Sequence, residues 1–408
     1  MSTPPVRVSR RVAGIRPLAL AGLLPLAAAS GAVDLALGVP PDAPPAPAVE
    51  GAVVALRGGR NQYAPAAGLD ALRAQIAAEL ARTRGASVDP QRHVTVTSGS
   101  AEGVLAALLA VTDPGDEVLM VEPFFEIYPG AVALCGATPR YVPLTPGSWR
   151  LDPAVLRRAV TTRTRAVLFN TPHNPTGRVF GRAEAEAVRA VCAEYGLVCI
   201  TDETYDSFVF DGDGPLSPWD LPDGRPRTVL VGSLSKSLRM SGWRLGYCVA
   251  GEELTHGLRR AHEHLTLGAA TPLQHGAAAG LAQLRGVDAA ALYDRLVRRR
   301  DQLASGLERL GFGVTVPEGG WFLLADTAPL RWSSSRLAER LVCEAGVLTA
   351  PGTTFFDDPA DGERWLRVCL LRDEETTAYA LDRIGGFLRS AGRRSGSVTA
   401  WSPTRRAS

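Results

Sequence analysis

Lys236 is the only lysine in the chain; every other one of its 44 basic residues is arginine. Either cation serves on a surface, but only lysine has an amine that loses its proton and attacks a carbonyl. A lone lysine in so arginine-rich a chain points to carbonyl chemistry at that position. Its setting is Ser233-Leu234-Ser235-Lys236, followed by Gly242-Trp243-Arg244, so hydroxyls and a guanidinium flank the amine.

Three other polar clusters could join it: Ser98-Gly99-Ser100, Asn170-Thr171-Pro172-His173-Asn174-Pro175-Thr176-Gly177 and Asp202-Glu203-Thr204-Tyr205. Singly they are ordinary. An aspartate after a strand is more often a turn residue or helix cap, and Asn-Pro-Thr-Gly alone is a turn. An arginine a few residues past a lysine is usually a solvated charge.

The elements around these clusters give them a common address. Short apolar runs at 93–97, 117–121, 165–169, 197–201, 229–231 and 245–249 read as strands. Between them lie helical stretches at 101–111 and 182–195, the latter ended by Gly196, and a helix opened by the N-cap pair Asp152-Pro153. Such alternation predicts an α/β unit with a mostly parallel sheet covered by helices on both faces. In such sheets ligands bind at the carboxyl ends of the strands, and each polar cluster follows a strand.

Beyond Pro272 the pattern becomes α+β, with a long helix over 288–310, short strands at 321–325 and 365–370, and a final helix over 374–388. The expected organisation is an arm and part of a small domain at 1–45, a large domain at 46–280, a small C-terminal domain at 281–390, and a disordered Arg/Ser/Gly-rich tail at 391–408.

The converging set suits pyridoxal 5′-phosphate (PLP). This cofactor needs a lysine to hold its aldehyde as an imine and a carboxylate beside its ring nitrogen. Lys236 and Asp202 fit. Tyr205 and Asn174 fit the ring oxygen. Ser100-Ala101, at a helix N-terminus, with Ser233 and Arg244, fit the phosphate.

Nearly end to end, the chain resembles the class I/II aminotransferases of PLP fold type I. The residues that carry the resemblance are Leu37-Gly38, Asn61-Gln62-Tyr63, Gly99-Ser100-Ala101-Glu102, Glu122-Pro123-Phe124-Phe125, Asn174-Pro175-Thr176-Gly177, Asp202-Glu203-Thr204-Tyr205, Ser233-Leu234-Ser235-Lys236, Gly242-Trp243-Arg244 and Arg367. The kynurenine/glutamine and methionine aminotransferase branch is the nearest pattern. The resemblance implies that Lys236 is the Schiff-base lysine and proton shuttle, and that Asp202 pairs with the pyridine nitrogen. It implies that Tyr205 and Asn174 contact the ring hydroxyl, that Phe125 stacks on the ring, and that Ser100, Ala101, Ser233 and Arg244 hold the phosphate. Tyr63 would reach in from a second subunit of a homodimer. Arg367 would clamp the substrate carboxylate, beside the backbone of Gly38 and Asn174.

Two departures concern the substrate. Ala101 stands where that branch can carry a tyrosine, and Leu267-Gly268 where it carries Phe-His from the second subunit, so a roomier and less aromatic pocket is expected. The implied reaction is ping-pong transfer of an amino group from an L-amino acid to a 2-oxo acid. β-Elimination, cyclisation or oxidation on the same fold remains open at this level, as does a PLP-binding regulator.

The bulk properties narrow the classes. A net charge of +2 argues for neither nucleic acid nor an anionic membrane as partner. Six cysteines without a CxxC pair read as buried thiols of a reducing compartment, hence a cytoplasmic enzyme. Arg7, Arg10, Arg11 and Arg16 before the apolar run 17–29 resemble a signal peptide; the expectation is instead an arm packed on the enzyme body. His262-Glu263-His264 raises a metal site, but residues two apart on a helix face different ways, so none is expected.

Overall fold

The computed structural model describes residues 6–210, 214, 216–284 and 289–394. After strand β1 (Val33–Asp34), seven strands form the main sheet: β2 (Val94–Thr97), β3 (Glu117–Glu122), β4 (Thr138–Pro143), β5 (Thr164–Asn170), β6 (Val198–Asp202), β7 (Thr228–Ser233) and β8 (Gly246–Val249). Their order is β2-β8-β7-β6-β5-β3-β4. All run parallel except β8, which is antiparallel to both its neighbours.

That exception matters for function. Because β8 runs backwards, its amino end lies beside the carboxyl ends of β2 and β7, with Gly246 opposite both Thr97 and Ser233. Arg244, which precedes β8, therefore arrives at the same edge as the residues that follow β2 and β7. Along that edge Asn170 also pairs with Asp202.

Helices Ser100–Val111 and Arg182–Tyr195 match the expected spans, and Asp152 caps helix Pro153–Ala159 by accepting from the amide of Ala154. Val118, Met120, Leu168, Ile200 and Val231 pack with Val104, Ala107 and Leu108 of helix Ser100–Val111 on one face of the sheet. Leu119, Val121, Val167, Phe169 and Cys199 pack with Val188, Val191 and Cys192 on the other. Burial on both faces is why these strands read as continuous apolar runs.

A second sheet holds β9 (Gly313–Val314), β10 (Phe322–Asp326), β12 (Ala350–Pro351) and β13 (Trp365–Cys369), in the order β12-β13-β10-β9 and antiparallel throughout. Strand β11 (Val347–Leu348), just before β12, pairs with β1, so residues near the amino end pack with this later sheet. Helices Ala289–Arg309 and Glu374–Arg394 cover it. The first begins at Ala289; Asp288, expected to open it, lies outside the described residues. The second continues past the expected Leu388, with Ala391 buried. Most of the expected tail, 395–408, lies outside the described residues.

The arm packs on the body. Leu20 and Ala27 are buried, the amide of Ala19 donates to Glu126 Oε2 at 2.6 Å, and Arg16 donates to the carbonyl of Asp357 at 3.2 Å. No helix among the described residues is long and apolar enough to cross a membrane.

Candidate active site

Lys236 lies in the short helix Leu234–Ser237, capped by Ser233 Oγ, which accepts from the amide of Ser235 at 3.2 Å. Its Nζ donates to the carbonyl of Gly38 at 3.1 Å and stands 4.9 Å from the Trp321 ring centroid and 5.7 Å from that of Tyr205. Gly38 is held to glycine by the wall behind it, since a Cβ there would lie 2.7 Å from the Phe322 ring. Burial, with Arg244 and Arg367 nearby, pushes the amine down to about 8. An amine so placed is available as a neutral nucleophile near physiological pH.

Asp202 ends β6. Its Oδ2 accepts from the Tyr128 hydroxyl at 2.8 Å and its Oδ1 from the amide of Thr204 at 3.0 Å. Burial raises its carboxyl above the ordinary value, and these two donors and Lys236 pull it back. Its backbone carbonyl accepts from Asn170 Nδ2 and the amide of Thr171. Asn170 Oδ1 in turn accepts from the amide of Asn174 at 2.8 Å, fixing the turn that carries Asn174. Gly177 closes that turn at φ +72°, where a Cβ would lie 2.5 Å from the carbonyl of Phe322.

Arg367 comes from β13, across from the main sheet. It is buried, with Nη1 donating to Asn174 Oδ1 at 3.1 Å and Nη2 to the carbonyl of Ala36 at 3.3 Å; its Nε has no hydrogen-bond partner among the described residues. Its guanidinium is sandwiched between the rings of Phe322 at 4.2 Å and Phe355 at 4.7 Å. Tyr205 is buried edge-on to Trp321, and burial raises its phenol above the ordinary value.

On the other side of the lysine, Gly99 (φ +85°) caps helix Ser100–Val111. The Arg244 guanidinium lies over this helix start: a Cβ on Gly99 would meet its Nη2 at 2.4 Å. Thr204 Oγ1 donates to Ser100 Oγ at 3.1 Å, tying the Asp202 segment to this turn. Gly246 completes the cradle, because a Cβ there would sit 2.5 Å from the Ser100 amide.

One feature of the electrostatics is chemically specific. Among the described residues, neither Arg244 nor Arg367 forms an ion pair with a carboxylate; Arg244 donates to the carbonyl of Ser241 and Arg367 to Asn174 and Ala36. A guanidinium at a helix N-terminus adds positive charge where the dipole already supplies it, a poor arrangement without an anion. The site thus holds an amine close to two guanidinium groups without a carboxylate partner among the described residues, one buried and one over a helix start. It is built for a ligand set with two anionic ends and a carbonyl.

Residues 30–384 match the family model "Aminotransferase class I and II". This chain belongs to the class I and II aminotransferases. It is 38% identical over 358 residues to a protein of Mycobacterium tuberculosis named as a probable N-succinyldiaminopimelate aminotransferase, covering 86% of this chain and 90% of that one. It is 34% identical to the methionine aminotransferase of Escherichia coli, covering 80% and 84%. The solved structure of N-succinyldiaminopimelate aminotransferase from M. tuberculosis superposes with a TM-score of 0.89 at 36% identity, covering 93% of this chain and all of that one. The aminotransferase is a PLP-dependent transferase of fold type I acting on amino acids and 2-oxo acids, as the resemblance implied.

The residues present fit the cofactor. The Gly99–Gly246 cradle and the unpaired Arg244 suit a phosphate, and Lys236 suits an aldehyde. The expected residues Gly38, Ser100, Asn174, Asp202, Tyr205, Ser233, Lys236, Arg244 and Arg367 lie around one sheet edge. Phe125 is half-buried, its ring edge-on to Tyr128 at 5.5 Å, and Ala101 is exposed at the helix start. Tyr63 stays outside this cluster and is 84% exposed.

Sequence reasoning missed Tyr128, which donates to Asp202 and carries no motif signal, being 74 residues from its partner. Asn170, read as part of the polar cluster after its strand, was given no role; its Nδ2 donates to the Asp202 carbonyl. It also missed Arg84, which binds Glu203, Asp206 and Asp220 behind the Asp202 segment. His262, weighed as a metal ligand, is instead buried against Glu102.

Proposed function

We propose that the aminotransferase moves the amino group of an L-amino acid to a 2-oxo acid by a ping-pong route, with Lys236 as the Schiff-base lysine and the proton carrier. The observation that carries this reading is the buried amine of Lys236 with Arg244 and Arg367 nearby, neither of them ion-paired to a carboxylate among the described residues. PLP, when bound, supplies a cationic ring that takes up the electron pair left by the departing Cα proton.

This chain's residues have the remaining tasks. Arg367 grips the substrate carboxylate as a fork, with Asn174 and the backbone of Gly38 beside it. Nζ of Lys236 would take the Cα proton and give it to the carbon that carried the cofactor's aldehyde, two atoms along. Asp202, whose charged form Tyr128 and Thr204 favour, would hold the proton on the ring nitrogen. Tyr205 and Asn174 would contact the ring hydroxyl, and Phe125 would pack on the ring. Ser100, Ala101, Ser233 and Arg244 would hold the phosphate.

The same reading makes the working unit a homodimer. Helix Ala46–Arg57 buries Ala48, Ala52 and Ala55 but exposes Val49, Val53, Val54 and Leu56. Tyr63 and Leu267, both largely exposed, are carried by neighbouring loops: Gly268 approaches Ala66. A second copy covering this face would bring in Tyr63 to the phosphate and Leu267 to the substrate pocket. The same reading divides the chain into an arm and part of the small domain at 1–45, a large domain at 46–280 and the rest of the small domain at 281–390. Six free cysteines, five of them buried, fit a reducing cytoplasm.

The test is the half-reaction. The purified PLP form is mixed with one amino acid at a time, without an acceptor. Loss of the cofactor's visible band with one equivalent of 2-oxo acid per site, reversed by adding a 2-oxo acid, is expected. Release of ammonia in catalytic amounts would contradict transamination.

A further inference from the structure

His262 is fully buried on helix Glu252–Thr266, where it meets helix Ser100–Val111. Its Nε2 lies 2.9 Å from the carbonyl of Ala66, and its Nδ1 lies 3.0 Å and 3.1 Å from the two carboxylate oxygens of Glu102. A carbonyl only accepts, so Nε2 carries a hydrogen. With a carboxylate at Nδ1, the arrangement is complete when both ring nitrogens donate and the ring is cationic. Burial opposes that charge, but the bonds and charge of Glu102 and the Ala66 carbonyl outweigh it and raise the imidazole above its ordinary value; Glu263, on the same helix, adds to this.

Glu102 occupies the first turn of helix Ser100–Val111, and its Oε2 accepts from the amide of Ser98 at 3.1 Å. It thereby holds the Ser98–Ser100 turn. It also puts a negative charge next to the first amides of that helix, which have no intrahelical acceptor and are the natural seat of an anion. A second anion beside that carboxylate would be repelled unless the carboxylate were neutralised.

We propose that His262 is a positioning residue for the cofactor's phosphate, cancelling the charge of Glu102 while letting it brace the Ser98–Ser100 turn. It acts through Glu102 on one side and, through Ala66, on the loop that follows Tyr63. The inference rests on reading this helix start as the phosphate seat.

The test compares PLP with pyridoxal, which has the same aldehyde and ring but no phosphate. Each is titrated into full-length apoenzyme and followed by absorbance. His262→Gln keeps a donor toward Glu102 without the charge. It should weaken PLP by about tenfold, the scale of one nearby charge at a helix terminus, and leave pyridoxal unchanged. Glu102→Gln, and the pair His262→Gln/Glu102→Gln, remove the uncompensated carboxylate and should hold PLP within about threefold of wild type. A parallel loss of PLP and pyridoxal in His262→Gln would make His262 merely structural and overturn the proposal. So would a tenfold loss of PLP in Glu102→Gln, which also decides the matter should His262→Gln not fold. If wild-type protein shows no preference for PLP over pyridoxal, the phosphate seat itself is misplaced; if it does and His262→Gln keeps that preference, only the role of His262 fails.

Discussion

The Tyr128 hydroxyl donates to Asp202 Oδ2 at 2.8 Å, across 74 residues of chain and entirely within the protein interior. Asp202 is buried, which by itself favours the neutral acid. A donor on the charged form offsets that. Tyr128 thus favours the charged form of the carboxylate proposed to face the ring nitrogen.

Tyr128→Phe removes that donor, so the Asp202 carboxyl moves further up. The ionised form then persists only at higher pH. The acid limb of the half-reaction rate profile should move toward alkaline pH, because the lost hydrogen bond favoured the charged carboxylate. An unchanged acid limb would mean that Tyr128 only packs.

Arg367→Lys keeps the charge and loses the fork. Lysine cannot donate in two parallel bonds to a carboxylate. The expected loss in kcat/KM for amino acids is at least about tenfold, about 1.4 kcal/mol. PLP affinity should hold. If cofactor affinity falls while kcat/KM at saturating PLP is kept, the clamp is elsewhere, with Arg244 or Arg372 the first to test.

Arg84→Met strips from a largely buried acidic cluster the one cation paired with it among the described residues. Arg84 contacts Glu203, donates to Asp220 at 3.0 Å, and lies 3.5 Å from Asp206. Burial pushes Glu203 up to about 7, with Asp220 adding to the rise and Arg84 opposing it. Without Arg84 the carboxyl rises further and must stay protonated to remain buried. The variant should be destabilised by about 3–5 kcal/mol near pH 8. The loss should shrink toward about pH 5.5, where protonation removes the unpaired charge. Urea midpoints of both proteins at the two pH values check this; an equal loss at both would contradict it.

Lys236 should titrate in the apoenzyme near the value its burial imposes, about 8. Only the neutral amine attacks an aldehyde. The rate of PLP uptake should therefore rise with pH and level off above about 8. A rate still climbing toward the ordinary lysine range, about 10.4, would show a solvated amine.

Much of this was legible in the residues, and the gaps have physical causes. The central strands were readable because both faces are buried. The edge strand β4 was not: it is only partly buried and carries Pro139 and Pro143, so it shows no apolar run. The direction of β8 leaves no mark in composition, yet it is what delivers Arg244 to the edge. Lys236, Asp202 and Asn174 stood out because chemistry demands their types within short motifs. Tyr128, Asn170, Arg84 and His262 act through partners distant in sequence, and their roles emerge only when the sheet edge is assembled. His262 had drawn notice for a metal; its neighbour His264 is exposed and cannot share its buried partner.

The central claim is that the one lysine carries the cofactor between two anion-binding arginines. Borohydride reduction of the yellow holoenzyme, followed by digestion and mass spectrometry, tests it directly. A single reduced PLP adduct is expected, on the peptide containing Lys236, and none in Lys236→Ala. An adduct at the terminal amine with Lys236 unmodified would contradict it.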